Sequence, residues 1–212
     1  TQFIYLCTGL TQLGLFSELS RRLSCLTFVF GFKFRFSVNT VLQISKNDIS
    51  LDLYTCTDII PESKEVLKLV DEQLEASRAD GFPVIVIEGL DATGKTTLTE
   101  ALRESLNATL LKSPPQCLAP FRQRFDSEPP LIRRAFYALG NYITAAHIGK
   151  ESLRAPVIVD RYWHSTAAYA IATAVGGRVE NLPKPGSEFY LWPEDLLQPN
   201  LCCSSLSVQK KD

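Results

Sequence analysis

One stretch of this sequence combines residue types and spacing that suit the binding of a polyphosphate. A β-branched run at positions 84–87 is followed by Glu88 and by the pattern G-x-x-x-x-G-K-T, which runs from Gly89 to Thr96. Glycines at both ends of the pattern permit backbone angles that other residues avoid, so successive N–H groups can turn inward around phosphate oxygens. Lys95 supplies a mobile cation for the β- and γ-phosphates, and the Thr96 hydroxyl suits a Mg²⁺ ligand.

A second chemical element is the tripeptide Asp160-Arg161-Tyr162, which closes an apolar run at positions 157–159. In a parallel sheet, the carboxyl end of this strand lies at the same edge as the phosphate loop. The carboxylate there can hold Mg²⁺ or orient an acceptor phosphate, and the arginine can bind that phosphate with two hydrogen bonds. An Asp-Arg pair at a strand end is also a common surface ion pair. The functional interpretation of this pair therefore depends on its position in the sequence after the phosphate loop.

The segments around these elements alternate between strand and helix from Phe82 onward. Apolar runs predict strands before the phosphate loop, at 109–112 and at 157–160. Helical patterns follow the loop, begin again at Pro129-Pro130, and run from about Trp163 to Gly176-Gly177. This order predicts an α/β fold of the P-loop NTPase kind, with a parallel sheet, flanking helices and ligands at the carboxyl ends of the strands.

Residues 1–80 carry less information about function. Positions 1–47 hold one acidic residue against five basic ones, which faintly resembles a mitochondrial transit region. Alternation of apolar and polar residues predicts short strands at Phe32–Val38 and at Ile49–Leu53, and an apolar stripe predicts a helix at about 61–79. We therefore expect a small, partly β N-terminal region at 1–80, a kinase-like α/β domain at 81–201 and an atypical polar tail at 202–212.

Composition excludes several functional classes. The net charge of −1 argues against a sequence-independent nucleic-acid binder. Six cysteines without a C-x-x-C pair and only two histidines, which we expect to be structural, disfavour a zinc site and predict reduced thiols. No apolar run reaches the roughly 18 residues of a membrane span. The absence of any methionine predicts that the chain is a fragment or a processed form.

With these motifs in place, the sequence resembles the thymidylate kinase family. The resemblance rests on Gly89-Leu90-Asp91, Gly94-Lys95-Thr96-Thr97 and Asp160-Arg161-Tyr162, together with Ser165 and Tyr169, and it covers about residues 55–200. Within the family, the sequences at 111–115, 132–137 and 160–166 are most similar to a mitochondrial branch whose members phosphorylate UMP and CMP. The resemblance implies transfer of the ATP γ-phosphoryl group to a pyrimidine nucleoside monophosphate, with Mg²⁺, a mitochondrial or otherwise cytoplasmic location and a homodimer.

The family roles carry over to individual positions. Lys95 and the loop would bind the phosphates of ATP, and Thr96 would take Mg²⁺. Asp91 and Arg161 would face the acceptor phosphate, and Asp160 would assist its positioning or the metal. The complete predicted phosphate-binding set is Gly89, Leu90, Asp91, Ala92, Thr93, Gly94, Lys95, Thr96 and Thr97. The predicted acceptor-binding set is Arg161, Tyr162, Phe136, Tyr137, Asn141 and Tyr169. Phe136 or Tyr137 would stack on the base, although both suit a core equally well, and Tyr169 would lie near the sugar.

Three departures from the family pattern shape the hypotheses. Some thymidylate kinases carry an arginine where this loop has Ala92, and others supply it from a mobile lid that we expect this sequence to lack. Residues 202–212 are polar and aperiodic where a buried strand is expected, which predicts a sheet that is incomplete at its C-terminal side. Asn141 lies about where thymidylate kinases place a base-reading arginine, which weakly favours uridine or cytidine nucleotides.

Two functional hypotheses follow. The first is a pyrimidine nucleoside monophosphate kinase that binds small-molecule nucleotides, no nucleic acid and no membrane. The second is a truncated form that binds nucleotide but is catalytically impaired. A P-loop GTPase is disfavoured, because the sequence contains no N-K-x-D element.

Overall fold

The structure, a computed structural model, describes residues 45–72, 81–187 and 190–205. Four strands form its sheet: β1 (Val84–Gly89), β2 (Thr109–Lys112), β3 (Val157–Asp160) and β4 (Leu201–Ser205). Six α-helices surround them: α1 (Lys46–Tyr54), α2 (Glu62–Glu72), α3 (Lys95–Leu106), α4 (Arg122–Asp126), α5 (Pro130–Glu151) and α6 (Trp163–Ala174). Short 3-10 helices span Gln116–Phe121 and Val179–Asn181.

All four strands are parallel, in the order β2-β3-β1-β4. Ile87 near the end of β1 is aligned with Asp160 at the end of β3, and Lys112 is aligned with the same aspartate from β2. The phosphate loop and the Asp160-Arg161 pair therefore leave the sheet at one edge. The predicted α/β architecture with a parallel sheet and flanking helices is confirmed, as are the three strands predicted within it.

β4 corrects the interpretation of the C-terminal residues. Positions 202–205, predicted to be part of a polar tail, form a parallel strand with β1, whereas 206–212 lie outside the described residues. Asn200 sets the register: its side-chain oxygen accepts from the Val84 N–H at 2.8 Å, and its own N–H donates to the Val84 carbonyl at 3.0 Å. Backbone pairing needs no apolar side chains, and at the edge of the sheet Cys202 and Ser204 remain exposed, so the hydrophobic pattern gave no signal.

α1 corrects the strand predicted at Ile49–Leu53. Ser45 and Asp48 form a capping box, in which the Ser45 hydroxyl accepts from the Asp48 N–H and the Asp48 carboxylate accepts from the Ser45 N–H. Ile49 and Leu53, four residues apart, share the buried face of the helix. A period of two over five residues is also compatible with this i, i+4 pair, and the cap decides for the helix.

The two N-terminal helices belong to the same hydrophobic core as the sheet. The helix predicted at about 61–79 is observed as α2 over Glu62–Glu72. The rest of that prediction, at 73–79, and the strand predicted at 32–38 lie outside the described residues. Leu53 of α1 and Val66 of α2 are completely buried in a core that includes Leu139 and Ile143 of α5. Within the described ranges, no helix has the length and apolar character that crossing a membrane requires.

Candidate active site

The phosphate loop has the backbone conformation that its glycines predicted. Gly89 and Gly94 have positive φ angles of 142° and 79°, and Ala92, with φ 60°, is left-handed as well. Gly94 is the N-cap of α3, so the free N–H groups of the first helical turn point toward the loop. A Cβ placed on Gly94 would meet nothing within 4 Å, which leaves an open cradle at the positive end of the helix.

Lys95 folds back over this loop. Its ammonium group donates to the Leu90 carbonyl, and the hydroxyl of Thr93 donates to the same carbonyl at 2.9 Å. Burial lowers the pKa of Lys95, and the positive charge of Arg161 lowers it further, against the raising effect of Asp91. The lysine therefore lies at the loop with a carbonyl as its partner, an arrangement that a bound phosphate can replace.

Arg161 faces the phosphate loop from the end of β3. Its backbone is left-handed, with φ 68°, and its N–H donates to the Ile87 carbonyl of β1 at 3.0 Å. Its guanidinium forms an ion pair with Asp91 and donates to the Ser165 hydroxyl at 3.1 Å. The Asp91 side chain is 84% exposed and that of Arg161 only 21%, so the arginine is held while the carboxylate faces solvent. The structure thus brings together two residues that are 70 positions apart in the sequence.

Asp160 and Thr96 are the predicted ligands for a divalent cation. The Asp160 Oδ1 atom is buried and has no hydrogen-bond partner among the described residues, and Thr96 is exposed on the first turn of α3. No group of three or more His, Cys, Asp and Glu side chains within the described ranges could hold a metal by itself. Mg²⁺ commonly binds through one or two protein oxygens, with phosphates and water as its other ligands. An unpartnered carboxylate oxygen beside a phosphate loop fits that mode.

Glu88 is a site residue that the sequence reasoning did not assign. It is 1% exposed, and its carboxylate accepts from the N–H groups of Tyr162 and Ser165 at 3.0 and 3.3 Å and from the Ser165 hydroxyl at 2.5 Å. Burial raises the pKa of Glu88, whereas these hydrogen bonds and the charge of Arg161 act in the opposite direction. A charged residue closing an otherwise apolar strand was the available signal.

Three predicted acceptor-binding residues are buried instead. Phe136 is fully buried and stacks on Phe125, with ring centroids 4.5 Å apart and planes 7° apart, so it is a core aromatic. Tyr162 is 1% exposed and donates through its hydroxyl to the Leu197 carbonyl at 3.2 Å. Asn141 is also fully buried. In this conformation the three side chains pack within the protein, and their predicted contact with the base or acceptor stays a prediction.

The contacts of Asn141 are all within the protein. Its side-chain oxygen accepts from the Ser113 hydroxyl at 2.8 Å, and its NH₂ group donates to the Thr166 hydroxyl at 2.9 Å. Asn141 therefore links the end of β2 to α6, and its bearing on base preference stays a prediction. Tyr137 is half-buried and donates to the Asp126 carboxylate at 2.6 Å, and Tyr169 is 49% exposed on α6. These two tyrosines remain open to solvent.

The fold and the site together define a class of protein. An all-parallel sheet, a phosphate loop between β1 and α3, and an Asp-Arg pair at the end of the adjacent strand are typical of P-loop nucleoside monophosphate kinases. The family model of thymidylate kinase matches residues 87–191. Residues 87–191 therefore belong to the thymidylate kinase family.

A curated relative gives a closer likeness. The chain is 58% identical over 149 residues to UMP-CMP kinase 2, mitochondrial, of Homo sapiens. The alignment covers 70% of this chain and 33% of the human protein, so the chain spans about a third of the length of that relative.

Proposed function

We propose that this chain carries an ATP- and Mg²⁺-dependent kinase domain that phosphorylates pyrimidine nucleoside monophosphates. The observation that carries the proposal is the ion pair between Arg161 and Asp91, which joins the arginine proposed to bind the acceptor to the phosphate loop. Thymidylate kinase family membership and the name of the human relative support the reaction type. UMP, CMP, dUMP, dCMP and dTMP are the candidate acceptors, and the relative's name favours the first two.

The phosphate loop would bind the triphosphate of ATP. Its inward-facing N–H groups and the N-terminus of α3 provide donors and a positive potential for phosphate oxygens. Lys95 would exchange its hydrogen bond to the Leu90 carbonyl for one to the β- or γ-phosphate, which needs only a rotation of its flexible side chain. The open space at Gly94 leaves room for the phosphates to approach the backbone.

The acceptor monophosphate would bind to Arg161. An anionic phosphate oxygen is already a nucleophile, so the chemistry needs positioning and charge neutralisation instead of a general base. Arg161 can offer a two-pronged contact to the phosphate while Asp91 and Ser165 hold its guanidinium plane. Thr96 and Asp160 would hold Mg²⁺, which when bound neutralises charge on the transferring phosphoryl group.

Of the predicted base and sugar contacts, Tyr137 and Tyr169 are the side chains with exposed surface to offer. Tyr137 lies edge-on to the buried ring of Phe136, with centroids 5.3 Å apart, so the core fixes its orientation. Stacking between an aromatic ring and a base requires an accessible face, which Phe136 does not have. We therefore assign any base contact from α5 to Tyr137 and keep Tyr169 as the sugar-side residue.

One observation favours the alternative of a nucleotide-binding but catalytically impaired form. Position 92 of the loop is alanine, so the loop supplies no arginine to the transferring phosphoryl group. A cation at that place can contribute about 10³-fold or more to the rate. The proposed kinase then needs a cation from elsewhere for full turnover, and measurement of the rate decides between the two forms.

The human relative is named as mitochondrial, and we propose the same location for this protein.

The catalytic proposal is tested by incubating the purified chain with ATP labelled in the γ-phosphate and each of the five monophosphates. Labelled UDP or CDP is the expected product. Labelled product from none of the five, with ATP binding intact, would replace the kinase by the nucleotide-binding form.

A further inference from the structure

The buried carboxylate of Glu88 is not explained by the phosphate loop or by the proposed metal site. It lies at the carboxyl end of β1, one residue before the first glycine of the loop, and is 1% exposed. A carboxylate taken out of water costs free energy unless hydrogen bonds satisfy its oxygens. Within the described part of the chain, Tyr162 and Ser165 donate three such bonds to Glu88.

Both residues that donate these three bonds are linked to Arg161, Tyr162 by the chain and Ser165 by a hydrogen bond. The Tyr162 N–H immediately follows Arg161, and the Ser165 hydroxyl that donates to Glu88 also accepts from the Arg161 guanidinium at 3.1 Å. Because a hydroxyl has a single proton, its donation to Glu88 turns its lone pairs toward other donors, and Arg161 takes one of them. Glu88, Ser165 and Arg161 therefore form a chain of hydrogen bonds that ends at Asp91 on the phosphate loop.

The backbone of Arg161 requires such support. Its φ of 68° is left-handed, a conformation that is unfavourable for a residue with a Cβ and persists only where neighbours hold it. The N–H of Arg161 is held by the Ile87 carbonyl, and the next N–H is held by Glu88. Two consecutive residues of β1 thus fix two consecutive residues at the end of β3.

We propose that Glu88 is a positioning residue for Arg161: through Ser165 and the Tyr162 N–H, it fixes the guanidinium that meets the acceptor phosphate. This inference rests on the proposed function, because it assumes that Arg161 binds the acceptor. A purely structural role would be that of a helix cap, since Tyr162 is the N-cap of α6 and Ser165 lies in its first turn. A cap stabilises the fold, whereas a positioning residue also alters acceptor binding through Arg161.

Glu88→Gln is the most informative variant. Glutamine keeps the shape and one acceptor oxygen for the two N–H groups, but its NH₂ group donates to Ser165, so the polarity of that bond is reversed. The Ser165 hydroxyl then receives two donors or loses Arg161. Ser165→Ala removes the same link from the other side. Thr144→Ala is the matched control, because Thr144 is buried and its hydroxyl, among the described residues, donates to the Gly140 carbonyl of its own helix at 2.8 Å.

The kinetic test compares KM for the acceptor, kcat and ATP affinity in these variants. We expect Glu88→Gln and Ser165→Ala to raise the acceptor KM by about tenfold while ATP affinity changes by less than about twofold, since a misplaced binding group is costly in a positioned reaction. Thr144→Ala should lower stability without a change in acceptor KM. Equal acceptor KM values in all three variants and wild type would reduce Glu88 to a helix cap.

A double-mutant cycle and a spectroscopic measurement complete the test. If Glu88 acts through Arg161, Glu88→Gln has no further effect on acceptor affinity in an Arg161→Ala background, whereas additive effects would contradict the proposal. The ¹⁵N resonance of the Arg161 side chain, assigned from Arg161→Lys, should shift and broaden in Glu88→Gln but not in Thr144→Ala. This readout needs no turnover, so it separates failure of the positioning role from failure of the kinase assignment. An unchanged resonance overturns the positioning role.

Discussion

At Gly94 of the phosphate loop, the effect of a substitution on backbone strain can be measured separately from its effect on nucleotide binding. Gly94 has φ 79°, and a Cβ there would enter empty space. Gly177, after the end of α6, has φ 73° and equally empty space, but lies outside the phosphate loop. Replacement of either glycine by alanine forces a residue with a Cβ into a left-handed conformation, at a cost of roughly 1–2 kcal/mol.

The two variants should differ only when nucleotide is present. A ligand present at 100 times its Kd stabilises the folded state by about 2.7 kcal/mol, and a tenfold loss of affinity removes about 1.3 kcal/mol of that gain. The Cβ of Gly94→Ala would occupy the cradle proposed for the phosphates, so we expect at least this tenfold loss. Gly177→Ala should keep the full ATP-linked gain.

The assay is chemical denaturation of both variants and wild type, with and without MgATP. Both variants should unfold at lower denaturant than wild type without nucleotide, by similar amounts. MgATP should raise the free energy of unfolding of Gly177→Ala much more than that of Gly94→Ala. An equal gain in the two variants would refute the claim that the space at Gly94 receives phosphate.

Three further predictions concern the fold around the site. Asp195 accepts from the Lys46 N–H and from the Tyr142 hydroxyl, both at 2.7 Å, so Asp195→Ala should lower the unfolding free energy by about 1–3 kcal/mol; denaturation together with Tyr142→Phe should show non-additive losses, and additive losses would contradict this link. Phe136→Ala should lower the unfolding free energy by about 3–5 kcal/mol because it empties a core site, and Tyr137→Phe is the mild control. Weaker nucleotide binding by Phe136→Ala without a loss of stability would instead favour the predicted stacking on the base. Burial holds the pKa of His164 below its usual 6.5 despite Glu88 at 3.9 Å. Because the unfolded state then binds the proton more tightly, the stability that neutral His164 contributes is fully present above pH 6.5 and is lost as the pH falls through the folded pKa. The stability of His164→Gln should therefore depend less on acid pH than that of wild type. Equal acid sensitivity of the two proteins would contradict this assignment.

The parts of the fold that sequence could predict are those in which side-chain chemistry and backbone requirement coincide. The phosphate loop needs glycine where φ is positive, and the pattern between Gly89 and Thr96 therefore predicted both conformation and position. The strand ending at Asp160 was equally clear, because a parallel strand buried on both faces is continuously apolar. Register then brought Asp160 to the loop.

The remaining parts depended on information that a hydrophobic pattern does not carry. β4 is held by backbone pairing at a sheet edge, so its polar residues gave no period. Phe136 was equally compatible with core and ligand contact until packing on Phe125 placed it inside. Glu88 was visible only as a charge in an apolar strand, and its importance follows from partners more than 70 residues away.

The central claim is that the phosphate loop of this chain supports phosphoryl transfer to a pyrimidine monophosphate, and Lys95 tests it most directly. The measurement is ADP release from MgATP by the purified chain and by Lys95→Ala, with each of the five monophosphates in turn, after circular dichroism has shown that both are folded. We expect acceptor-dependent ADP release by the wild-type chain and its loss in Lys95→Ala. Acceptor-dependent release that persists in Lys95→Ala would contradict this claim.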